Sequence, residues 1–141
     1  MSSESEPSRA PAGLADTSVF IARESGRPLG ELPERIAVSV VTIGELQLGV
    51  MTAGDRAIRA RRAGTLEIAR RSDPIPVSEA VMACWARLTR ACAEAGVSGR
   101  VKALDALIAA TAIEHGLAVV TQHEDFDLIA AAEHSLDVIR V

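Results

Sequence analysis

Short unbroken apolar runs alternate along this chain with longer stretches in which apolar residues recur every three or four positions. Gly13 to Ala15 predicts a strand ending at Asp16, and Val19-Phe20-Ile21-Ala22 begins a helix. Ile36 to Val41 is the clearest strand of the first half. Thr42-Ile43-Gly44-Glu45 then opens a helix to about Met51, with Thr42 and Glu45 at capping-box spacing. An Arg-rich helix runs from about Asp55 to Arg71 and breaks at Ser72-Asp73-Pro74. Ile75-Pro76-Val77 predicts a short strand, placed at an edge by its proline. Ser78 caps a helix from Glu79 to Ala95, with Trp85, Leu88 and Cys92 on a core-facing stripe. The stretch from Val101 to Ile113 is apolar almost all round, and Asp105 is its only acid. A helix of that kind is buried. Gly116 stops it, and Leu117 to Thr121 reads as a buried strand. A short helix near Leu128–Glu133 and an alternating edge strand, Leu136 to Val141, close the chain. Strands alternating with helices predict an α/β fold, a three-layer α/β/α domain with a central, mostly parallel sheet. Ligands of such sheets bind outside the carboxyl ends of the strands.

Composition sharpens this picture at three points. Hydrophobic residues make up 48% of 141 positions but aromatics only 2%, so the core is Ala, Val, Leu and Ile, as suits helices on a parallel sheet. The net charge of −4 is unevenly spread: Asp55 to Arg71 holds six Arg against two acids, or +4, leaving −8 for the rest. Such a basic segment on an acidic chain suits an anionic ligand, or simply a solvated helix face. Cys84 and Cys92, eight apart in one predicted helix and so roughly 12 Å apart, are beyond disulfide reach and read as buried thiols of a reducing, cytoplasmic compartment. No apolar segment is long enough to span a membrane. Residues 1–12, rich in Ser, Glu and Pro without an apolar core, read as a disordered tail rather than a signal peptide.

The acids carry the candidate chemistry. Asp16 follows the first strand, Glu45 starts the helix after the second, and Asp125 lies just past the strand ending at Thr121. Asp105 sits at the start of the buried helix that leads into that strand. Two have a local explanation: Asp105 as an N-cap and Glu45 as half of a capping box. Yet the fold would bring all of them to one sheet edge. Two carboxylates about 4 Å apart repel by roughly 4 kcal/mol at an effective dielectric of 20. A hard divalent cation relieves that, and oxygen-only ligands suit Mg2+ or Mn2+. The Arg-rich helix would then meet a phosphate backbone. Neither a GxGxxG nor a P-loop motif is present. A haloacid-dehalogenase phosphatase needs a second Asp where Ser18 stands.

Four segments together resemble the acidic motifs of PIN domains, and most closely those of VapC toxins from bacterial toxin–antitoxin pairs. They are Leu14-Ala15-Asp16-Thr17-Ser18-Val19, Thr42-Ile43-Gly44-Glu45-Leu46, Leu104 to Ala112, and Val120 to Asp127. The resemblance spans residues 13–141. It implies a Mg2+-dependent endoribonuclease, with Mn2+ as an alternative ion. Asp16 and Asp105 would be the main metal ligands, and Glu45 a third ligand or the orienter of the attacking water. Asp125 would act through water or a second metal, with Thr17 and Ser18 orienting the ligands. The family further implies a homodimer, structured RNA such as tRNA or rRNA as substrate, and a VapB-type antitoxin whose C-terminal segment fills the acidic cleft. Arg56, Arg59, Arg62, Arg100 and Lys102 are the candidate RNA contacts. Two positions depart from the pattern: His123 stands where relatives carry an acid or Asn, and Leu104 where they often carry Asn. The alternative is a non-cleaving PIN-like module that binds RNA or a partner; intact acids at all four motifs argue against it.

Overall fold

Four short strands form one all-parallel sheet: β1 (Ala12–Ala15), β2 (Arg35–Ala37), β3 (Ala118–Thr121) and β4 (Val138–Arg140), in the order β2-β1-β3-β4. The computed structural model describes residues 12–141, so the predicted tail, apart from Ala12, lies outside the described residues. Ala12 itself belongs to β1, one residue earlier than the sequence pattern placed the strand. The helices are α1 (Thr17–Ser25), α2 (Val40–Met51), α3 (Arg56–Arg70), α4 (Glu79–Glu94), α5 (Ala103–Glu114) and α6 (Asp125–Ala132).

Register explains the layering. Leu14 pairs with Val119, and Ala15 with Val120. Successive strand residues point to opposite faces. Accordingly Leu14 and Val119 join the main core with Leu88 of α4, Ile108 of α5, and Phe126 and Ile129 of α6. Ala15 and Val120 pack on the other face against Val19 of α1. This is the expected three-layer arrangement. The central strands approach closely at Gly13, where a Cβ would collide with Val120 Cγ2. Gly116, with φ +66°, turns the chain from α5 into β3, its N–H donating to Ile113 O and that of Leu117 to Ala112 O.

Some elements differ from the sequence pattern, each for a local reason. The predicted strand over Ile36–Val41 ends at Ala37, because the Ser39 hydroxyl accepts the Val41 N–H at 3.0 Å and starts α2 at Val40. Thr42 and Glu45 are therefore not a capping box: Thr42 is buried in the first turn and Glu45 lies in the second. Ile75–Val77 is not a strand but a single parallel bridge between Ile75 and Ser39. Pro74 and Pro76 flank Ile75 and have no N–H to extend a ladder. The last helix starts at Asp125, earlier than its apolar pattern indicated. Both cysteines are free and buried, as expected. No helix among the described residues is long and apolar enough to cross a membrane.

Candidate metal centre

Asp16, at the carboxyl end of β1, is the N-cap of α1 and is only 4% exposed. Its Oδ1 accepts from Ser18 Oγ at 2.6 Å and from the Ser18 N–H at 3.2 Å, and its Oδ2 accepts from Thr121 Oγ1 at 3.0 Å. Burial pushes its carboxyl above the usual 3.8, against the lowering effect of the Ser18 and Thr121 hydrogen bonds. Next along the chain, the Thr17 hydroxyl donates to Glu45 Oε1. That bond ties the second turn of α2 to the start of α1. Glu45 thus faces the site and contributes nothing to capping.

Asp105 is likewise not an N-cap. Lys102 holds that position without a side-chain bond, and Asp105 lies in the first turn of α5. Its carboxyl is pushed up to about 6. Burial is the main cause, followed by repulsion from Asp16, Glu45 and Asp125 and opposed by the charge of Lys102. Asp16, Glu45 and Asp125 thus all lie near enough for their charges to act on Asp105. Asp125, the first residue of α6, is 43% exposed at its side chain, with its Oδ2 3.9 Å from Lys102 Nζ. His123 is exposed, and its charge draws the Asp16 carboxyl down slightly.

Among the described residues, no three of the His, Cys, Asp and Glu side chains stand close enough to close on one ion. The centre is a set of separated oxygen donors rather than a cage. Such a set fits Mg2+, which takes one or two carboxylates, keeps several waters and leaves positions for substrate phosphate.

The candidate RNA contacts divide. Arg56, Arg59 and Arg100 are exposed, and Lys102 reaches Asp125. Arg62, half-buried, donates to Gly49 O at 2.7 Å, and Arg59 to Ala53 O at 3.4 Å, so both tie α3 to the end of α2. Beside Glu45 a groove of about 320 Å³ is lined by Thr17, Ile21, Leu46, Arg61 and Arg62. Thr121 escaped the sequence reading, since it ends an apolar strand and only the β1–β3 pairing reveals its hydroxyl at Asp16.

A PIN-domain profile matches residues 14–132. The chain belongs to the PIN-domain family. This PIN domain is 66% identical over 100 residues to ribonuclease VapC8 of Mycobacterium tuberculosis, covering 71% of this chain and 89% of that protein. It is 46% identical over 132 residues to ribonuclease VapC5 of the same species, covering 92% and 96%. The crystal structure of VapBC-5, a member of the VapBC family of toxin–antitoxin systems from M. tuberculosis, matches this PIN domain with a TM-score of 0.81. Identity there is 42%, over 94% of this chain and 100% of that one. VapBC2 from Rickettsia felis, bound to a DNA fragment from its promoter, shares the fold at 19% identity and a TM-score of 0.73, over 92% of this chain and 98% of that one.

Proposed function

We propose that this PIN domain is a Mg2+-dependent endoribonuclease, the toxin of a VapBC pair, which cuts structured RNA and is neutralised by a VapB-type antitoxin. The observation that carries the metal-dependent part is Asp105, whose carboxyl is raised by burial and by the charges of Asp16, Glu45 and Asp125. Like charges so gathered call for a cation. The likeness to ribonucleases VapC8 and VapC5, and to the VapBC-5 structure, supports the reaction class and the partner.

In this reading Asp16 and Asp105 hold the ion and Asp125 meets it through water. When bound, Mg2+ supplies a more acidic water and stabilises charge on the phosphodiester. Glu45, fixed by the Thr17 hydroxyl, accepts a proton from the attacking water or orients it. Arg100 and Lys102, just before α5, take the RNA phosphates.

Purified chain, free of antitoxin, is incubated with total cellular RNA in Mg2+ or EDTA, beside Asp16→Asn. Discrete Mg2+-dependent fragments, absent with a folded Asp16→Asn variant, are expected. Metal-dependent cleavage retained by that variant would overturn the assignment of the centre. RNA shifted in a gel but never cut would favour the binding module.

A further inference from the structure

Asp16 is held from inside the protein at both carboxylate oxygens, by hydroxyls from opposite ends of the sequence. Ser18 Oγ and the Ser18 N–H donate to Oδ1, and Thr121 Oγ1 donates to Oδ2. A hydroxyl has one proton to donate and two lone pairs that accept. Both oxygens here accept. The Gln122 N–H donates to Ser18 Oγ at 3.0 Å, and the His123 N–H donates to Thr121 Oγ1 at 3.0 Å. Two successive amides of the turn between β3 and α6 therefore occupy a lone pair on each hydroxyl oxygen, and Asp16 is the nearest acceptor for each hydroxyl proton. Ser18 and Thr121 are 4% and 0% exposed, with their hydroxyls 3.4 Å apart, so the frame is shielded from bulk water.

Counting lone pairs shows what the frame leaves open. An ionised carboxylate has about four acceptor sites, roughly two on each oxygen. Oδ1 already receives two donors, whereas Oδ2 receives one. We propose that Thr121 is a positioning residue which, with Ser18, fixes the Asp16 carboxylate so that it offers a divalent cation a single lone pair, on Oδ2. This rests on reading Asp16 as a metal ligand. It makes Asp16 a one-oxygen ligand of set direction. It also couples that direction to the turn leading into Asp125, so displacing the turn would release the hydroxyl protons. Thr121 is fully buried, so its effect is exerted through Asp16.

The test is Mn2+ binding to the full metal-free chain without RNA, read by the paramagnetic resonance of free Mn2+ and by calorimetry. Thr121→Val keeps the shape and removes the donor. Loss of such an outer partner weakens metal binding by about 10- to 100-fold, and that fall is expected here. Thr121→Ser, which keeps the hydroxyl, should return affinity close to the parent value. Ser18→Ala should weaken binding in the same way from the other oxygen, and it serves as the test if Thr121→Val does not fold. Adding Thr121→Val to Asp16→Asn should change nothing further. A folded Thr121→Val protein that binds Mn2+ as tightly as the parent overturns the proposal. So does a Thr121→Ser protein as weak as Thr121→Val, because packing by the methyl group would then be the role. Failure of the parent to bind Mn2+, or parent-like binding by Asp16→Asn, instead overturns the metal reading itself.

Discussion

Replacing Asp105 with Asn should stabilise this protein while removing the proposed chemistry. In the folded chain the Asp105 carboxyl is raised from 3.8 to about 6, chiefly by burial and then by Asp16, Glu45 and Asp125. A raised carboxyl binds a proton more tightly in the folded state than in the unfolded one. Between pH 4 and 6 the folded state holds the extra proton, so stability falls as pH rises through that window and stays lower above it. At about 1.4 kcal/mol per pH unit, the ceiling is about 3 kcal/mol. Asp105 is only half-buried, and solvent screening reduces this to about 1–2 kcal/mol. Asn carries no charge, so in EDTA at pH 8 the variant should be about 1–2 kcal/mol more stable, a melting temperature about 3–6 °C higher. Near pH 3.5, with Asp105 protonated in both states, the two proteins should melt together. Urea unfolding at pH 3.5, 5, 6.5 and 8, in EDTA, measures the difference directly. An Asp105→Asn protein no more stable than its parent at pH 8 would refute the reasoning, as would a gap that does not shrink in acid.

Other substitutions separate structural from binding roles. Saturating Mg2+, at about 100 times its Kd, should stabilise the parent by about 2.7 kcal/mol and leave Asp105→Asn much less affected; identical parent melts in EDTA and Mg2+ would count against the centre. Arg62→Ala should lower stability by about 1 kcal/mol in urea unfolding, since it removes the bond to Gly49 O. Arg100→Glu, by contrast, should leave the melt unchanged and reduce the salt slope of RNA binding by about one. An unchanged slope would place the RNA elsewhere. Gly13→Ala should cost about 1–3 kcal/mol, because the new methyl meets Val120 Cγ2 and Pro33 Cγ across the central strands; unaltered unfolding would show that β1 and β3 can move apart.

Much of the architecture is local and so could be read from the sequence. The apolar stretch after Asp105 and the positive-φ Gly116 specify α5 and its turn into β3, because periodicity and left-handed glycine act within a few residues. Ser78 and Asp55 cap their helices through bonds that reach only three residues ahead. Which acids are caps was not local. Glu45 and Asp105 look like caps in sequence, yet Ser39 and Lys102 occupy those positions, so neither side chain caps its helix. Asp16, read as a metal ligand just after a strand and not as a cap, does cap its helix. The hold on Asp16 by Thr121 spans 105 positions and exists only once β1 lies beside β3. The same holds for the raised carboxyl of Asp105, whose causes are burial and three acids from distant elements. The helices, their order and the supply of carboxylates follow from short-range propensity and pattern, whereas the strand limits at Ile36–Val41 and Ile75–Val77 did not. The distances between charges, their burial and the hydroxyl partners of Asp16 arise only on folding, since Coulomb repulsion and hydrogen bonding depend on separation in space.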